Sequence, residues 1–141
     1  MFTYDDVYVF LVQQLGVKRE TLTPETSLFD DLGVDGDDFF ELADAFAHRF
    51  NVDMSGYRWF FHHGEEGFNI DWILFKPPNR RVRRIRVTPK LLLESANAGK
   101  WALEYPAHKL SPIRWDRMLS LGVVCLIVLF ALYLLFRKLT G

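Results

Sequence analysis

The sequence predicts a mainly α-helical fold: a four-helix bundle with a small β-hairpin before its last helix, followed by a C-terminal transmembrane helix. Three stretches carry that expectation. Phe39, Leu42, Ala43, Phe46 and Phe50 recur at helical spacing and form one apolar stripe. Thr88 at a cap position, Pro89 at the first helical position and Gly99 just past the end frame a second helix. Met118–Phe136 runs 19 residues without a charge. As a helix it would extend about 28 Å, close to the roughly 30 Å of a bilayer's hydrocarbon core.

The first helix is expected from about Thr3 to Leu15, with Thr3 as its cap and Asp5 and Asp6 in its first turn. Val7, Phe10, Leu11 and Leu15 keep a helical period, and Gly16 stops it. A long polar connection, Lys18 to Asp35, follows, with Pro24 and Leu28-Phe29 folding back over the bundle. Gly33 and Gly36 bend the chain into helix two, which Asp35 or Asp37 caps and which ends near Asn51. Helix three is short, Met54 to Gly64, with Ser55 as a cap. Phe68–Phe75 reads as a strand, Lys76–Arg80 as a turn and Arg81–Val87 as a second strand, which gives a hairpin over about 68–87. Helix four covers about 89–98. The expected organisation is a domain over 1–101, a linker over 102–117, the span over 118–136 and a short tail over 137–141.

The stretch Leu32-Gly-Val-Asp-Gly-Asp-Asp-Phe-Phe-Glu-Leu42 resembles the prosthetic-group motif of acyl carrier proteins, Leu-Gly-x-Asp-Ser-Leu-(Asp)-x-x-Glu-Leu. The resemblance extends back through Val12-Gln-Gln-Leu-Gly-Val17 and forward to Phe50-Asn-Val-Asp53. The ending around helix four and Trp101 is similar to a family of small bacterial proteins of unassigned function with a carrier-like fold. The resemblance implies an acyl-carrier-like bundle and accounts for the long loop before helix two. It departs at the decisive position, because Gly36 stands where carriers have the serine that bears phosphopantetheine. Glycine has no hydroxyl, so no cofactor is expected. In carriers the residue after that serine, and one about two turns along helix two, are apolar partner contacts. The matching residues here are Asp37 and Asp44, which points to a different and basic protein partner.

Charge is unevenly placed. Residues 1–75 carry a net charge of −11 and residues 76–141 carry +10, as if two surfaces met different partners. Asp35, Asp37, Asp38, Glu41 and Asp44 are the candidate partner-binding residues. Arg80, Arg81, Arg83, Arg84 and Arg86 form the basic run, a candidate contact for anionic lipid held near it by the anchor; nucleic acid is the weaker reading. No nucleophile–base pair or glycine-rich phosphate loop occurs, so no catalytic residue is expected and the protein is read as non-enzymatic. The acids around Asp30 fail the EF-hand template in either register, and adjacent His62 and His63 would point about 100° apart on a helix, so no metal site is expected.

The single cysteine, Cys125, suits a reducing compartment, and no secretory leader opens the chain. Trp115 and Tyr133 would mark the two interfaces. Lys100, Lys109, Arg114 and Arg117 precede the span and only Arg137 and Lys138 follow it, which favours a cytoplasmic N-terminal domain on a bacterial inner membrane. The expected function is a membrane-anchored binding or regulatory module displaying an acidic helix-two face. Two rivals are a working carrier modified elsewhere and a structural adaptor in a membrane enzyme complex.

Overall fold

In the computed structural model, residues 1–64, 78–80, 82–107 and 115–140 are described. Local chemistry sets the helix ends. Thr3 caps α1 (Tyr4–Leu15) through a reciprocal pair: its hydroxyl accepts the Asp6 amide, and the Asp6 carboxylate accepts the Thr3 amide at 2.8 Å. Gly16 closes α1 in the left-handed region, at φ 65°. α2 spans Gly36–Phe50 and ends at Asn51, the one non-glycine described residue with positive φ, at 52°. α3 spans Pro89–Ala98, with the Thr88 hydroxyl accepting the Leu91 amide, Pro89 at the start and Gly99 at the end. α4, Trp115–Thr140, is the apolar C-terminal helix.

The core is shared by three helices and their loops. α1 contributes Val7, Phe10 and Leu11; α2 contributes Phe39, Leu42, Phe46 and Phe50; α3 contributes Leu91, Leu92 and Ala96. Leu22, Leu28, Val34, Val52, Val87 and Trp101 close it from the connections. Phe46 is 1% exposed, with its ring 6.0 Å from Phe10 and 5.1 Å from Phe50. The long loop folds inward as expected at Leu28, where buried Ser27 organises it. The Ser27 hydroxyl accepts the Asp30 amide and donates to the Asp30 carboxylate, while the Ser27 amide donates to Asp31.

Two expected elements are absent from the described residues. Helix three is only a single 3-10 turn, Trp59–Phe61. The Asp53 carboxylate accepts the Ser55 amide and hydroxyl, so Ser55 caps nothing, and Arg58 is extended at φ −126°. Tyr57, Trp59 and Phe61 make ring contacts with different neighbours, and a regular helix would not aim all three there. Among the described residues the bundle therefore has three α-helices.

The second hairpin strand is the other correction. Residues 83–88 form no strand; they pass as an irregular strap between two loops. The Ile85 amide donates to the Phe61 carbonyl at 2.7 Å, and the Leu28 amide donates to the Val87 carbonyl at 3.0 Å. A hairpin needs one continuous ladder, and here consecutive backbone groups serve different partners. Pro78–Arg80 is a 3-10 turn that packs on Trp59–Phe61. The expected first strand, 68–75, lies outside the described residues, as do residues 108–114 of the expected linker. The described extended pairing is a single parallel bridge between Asp53 and Lys100.

Candidate functional site

α2 buries Phe39, Leu42, Phe46 and Phe50, and that choice turns Asp37, Asp38, Glu41 and Asp44 to solvent. His48 lies one turn beyond Asp44, with its Nε2 3.8 Å from that carboxylate. Asp38 and Glu41 also line a surface crease of about 200 Å³ shared with Gln14 and Leu15 of α1. Four of the five acids expected on this face are thus presented together.

Asp35 is not among them. It is half-buried at the cap position of α2 but makes no cap bond. Its carboxylate instead accepts the amide of Gly64, and a Cβ on Gly64 would lie 3.3 Å from its oxygens. Asp35 therefore ties the start of α2 to the aromatic turn and belongs to the fold.

The face also holds a residue that the charge pattern hides. Phe40 is 63% exposed. Asp37, Phe40 and Asp44 follow one another at steps of three and four residues, so the ring sits on the same strip as two carboxylates. Side chains at adjacent helix positions point about 100° apart, so burying Phe39 expels Phe40. That signal was present in the Phe39-Phe40 pair.

Gly36 gains a second meaning in the structure. It is buried at the first position of α2 with φ 52°. A residue with a Cβ is strained in that region, so the position where carriers have serine is built here for glycine. Inside the bundle, the slot lined by Leu28, Phe39, Phe46, Tyr57 and Trp101 measures about 10 Å³. That is near the space of one water and far below what an alkyl chain fills.

A second cluster stands where the chain leaves the bundle. His62 is 1% exposed, and its Nδ1 donates to the Ile85 carbonyl at 3.0 Å. Nε2 must then be the acceptor, taking the Tyr105 hydroxyl proton across 2.7 Å. The Tyr105 oxygen in turn accepts the indole N–H of Trp101 at 2.8 Å and the Arg58 amide at 3.1 Å. Burial lowers the His62 pKa to about 4, so the ring is neutral near pH 7. His63 faces elsewhere: Nδ1 donates to the Gly64 carbonyl, and the ring stacks on Phe39 at 4.9 Å. Among the described residues, no three His, Cys, Asp or Glu side chains gather where a metal ion could sit. The local sequence gave no hint of the His62–Tyr105 bond, which joins residues 43 apart.

A family model described as "Protein of unknown function (DUF1493)" matches residues 3–104. The chain belongs to that family. The DUF1493 match starts at Thr3, the α1 cap, and stops beside Tyr105, so α4 lies outside it. The family description carries no acyl carrier identity, and that likeness rests on the sequence resemblance alone. No solved structure matches the chain.

The arginine run of the DUF1493 portion divides in two. The Arg84 guanidinium lies 3.4 Å from the centre of the Phe29 ring, and Arg86 Nε lies 3.1 Å from an Asp30 carboxylate oxygen. Both hold the strap to the long loop. The Ser27 hydroxyl, helped by Arg86, keeps the Asp30 pKa below its ordinary value. Arg80 and Arg83 are exposed, and Arg81 lies outside the described residues. Beyond the match, α4 exposes Leu121–Leu139, 19 residues of mean hydropathy 2.2, none of it buried. One helix is therefore long and apolar enough to span a membrane, and it carries Cys125, which is exposed.

Proposed function

We propose that the protein is a membrane-anchored, non-enzymatic binding module of acyl-carrier-like design. It captures a basic protein partner on the outer face of α2. The observation that carries this reading is Phe40, 63% exposed on a strip with Asp37 and Asp44 and next to Asp38 and Glu41. A single large apolar group ringed by carboxylates suits a partner with an apolar pocket or side chain framed by Lys or Arg. The ring supplies the buried contact, and the charges steer and orient the approach. The glycine-specific backbone at Gly36 supports a role without phosphopantetheine.

In this reading α4 spans a bacterial inner membrane, and the DUF1493 domain stands on the cytoplasmic side, where basic residues flanking the span are more numerous. The test is capture from detergent-solubilised membranes by the full-length chain. Phe40→Ala, and separately Asp37→Asn with Asp44→Asn, are each expected to abolish capture of the same partner without lowering the melting temperature. Capture should weaken as salt screens the carboxylates. Unchanged capture by both variants would rule out the α2 face. A mass gain of one phosphopantetheine, after coexpression with the modifying transferase, would replace the module by a working carrier.

A further inference from the structure

We infer that the domain lays a particular pole against the bilayer, the one carrying Arg58, Trp59, Phe60, Arg80 and Arg83, and that its ligand there is the anionic lipid headgroup. The inference rests on the reading of α4 as a membrane span. It begins with the exit point of the chain. Tyr105 is fastened to the domain by three hydrogen bonds, to His62, Trp101 and the Arg58 amide. Its ring also stacks 4.9 Å from Phe61. Pro106 and Ala107 are exposed, and α4 begins at Trp115. Eight steps of backbone separate Ala107 from Trp115, so the two lie within about 29 Å however the chain runs. The tether starts on this pole and is shorter than the width of the domain, roughly 30 Å for about 100 residues. The pole is therefore held near the headgroups, while other faces need not be.

The chemistry of the pole fits what the tether brings to it. Trp59 and Phe60 are half-buried, with ring centres 5.8 Å apart, and such rings favour the boundary between apolar chains and headgroups. Arg58 is exposed beside them, its guanidinium donating to the Ser55 and Tyr57 carbonyls. The Pro78–Arg80 turn packs on Trp59–Phe61, and Ile85, two residues after exposed Arg83, bonds to Phe61. Three exposed arginines thus lie on or beside the segments that meet at the aromatic pair near the foot of the tether, with Glu104 an acid in the exit segment. Arg84 and Arg86 belong to a different contact, on Phe29 and Asp30. Of the expected lipid-facing run, Arg80 and Arg83 remain available, and Arg58 joins them from elsewhere in the sequence.

The experiment uses the full chain, with Cys125→Ser, reconstituted into vesicles of zwitterionic lipid alone or mixed with anionic lipid. A fluorophore is placed at Gly56→Cys, where a Cβ meets nothing within 4 Å, or at Gln13→Cys, exposed on α1. A headgroup-attached quencher is expected to dim the label at 56 more than the label at 13, and the excess should grow with anionic lipid. That anionic increase should vanish as salt shortens the screening length from about 30 Å at 0.01 M to about 3 Å at 1 M. Arg80→Glu with Arg83→Glu should remove the anionic excess while flotation and melting stay the same. Equal quenching at both positions, or an anionic increase that survives the charge reversal, would overturn the proposed face. Flotation separates the two readings: a chain that fails to rise with vesicles overturns the anchor itself.

Discussion

At Tyr105 one hydroxyl serves three partners, donating to His62 and accepting from Trp101 and Arg58. At Tyr57, in the same pole, a buried hydroxyl has none. Deleting the oxygen should therefore have opposite effects at the two sites. Tyr105→Phe strands a buried imidazole nitrogen, an indole N–H and an amide, and should cost about 1–3 kcal/mol. Tyr57→Phe removes an unsatisfied group and should be neutral or stabilising, with thermal unfolding of both variants as the measurement.

His62 adds a pH dependence. Burial lowers its folded pKa from 6.5 to about 4, so the unfolded chain takes up the proton first as pH falls. Its contribution is complete above pH 6.5 and declines towards about pH 4, by up to about 1.4 kcal/mol per pH unit. Burial shifts His63 in the same direction. Asp6, Asp30 and Asp53 titrate below 3.8 and are lost at lower pH still. Denaturant unfolding across this range should show a slope that His62→Asn flattens. Gly36→Ser belongs to the same scale: at φ 52° an added Cβ should cost about 1–2 kcal/mol, so restoring the hydroxyl strains the helix start it is meant to equip.

At the scale of the element, α2 separates packing from presentation within one helix. Phe46, 1% exposed, should cost about 3–5 kcal/mol as Phe46→Ala. Phe40, 63% exposed, should cost within about 0.5 kcal/mol as Phe40→Ala. If the two losses were similar, the orientation of α2 would be wrong. The helix was legible because its apolar period and glycine-bent entry are local. Two other segments were less so for a physical reason. Trp59–Phe61 and 83–88 take their shapes from Tyr105, Phe29 and Asp30, partners distant in sequence, and no local periodicity records such partners.

At the scale of the whole molecule, the acidic and basic halves of the sequence do not become two separate surfaces. Arg86 crosses to Asp30, Arg84 to Phe29, and the Lys90 ammonium lies 4.0 Å from a Glu25 carboxylate oxygen. Part of the +10 half thus pairs with part of the −11 half at the surface of the domain. Asp37, Asp38, Glu41 and Asp44 of α2 stay exposed, as do Arg58, Arg80 and Arg83. The full chain is expected to sediment with membranes and resist alkaline extraction, because Leu121–Leu139 has a mean hydropathy of 2.2 and none of it is buried among the described residues. Truncation after Ser111 should leave a soluble, cooperatively folding domain, since the core closes with Trp101 and Tyr105. A full-length chain soluble without detergent would refute the span.

The sequence by itself determined the helices whose signals are local. Thr3 and Gly16 bound α1, the Phe39–Phe50 period defines α2, Thr88, Pro89 and Gly99 bound α3, and the uncharged run from Met118 makes α4. Only the tertiary structure decided which acids are presented, because Asp35 is drawn inward by the Gly64 amide from 29 residues away. It also decided that a short helix and the second hairpin strand give way to a turn and a strap. In both places, bonds to distant groups outweigh the small preferences of a few residues, and those partners become neighbours only once the core has formed.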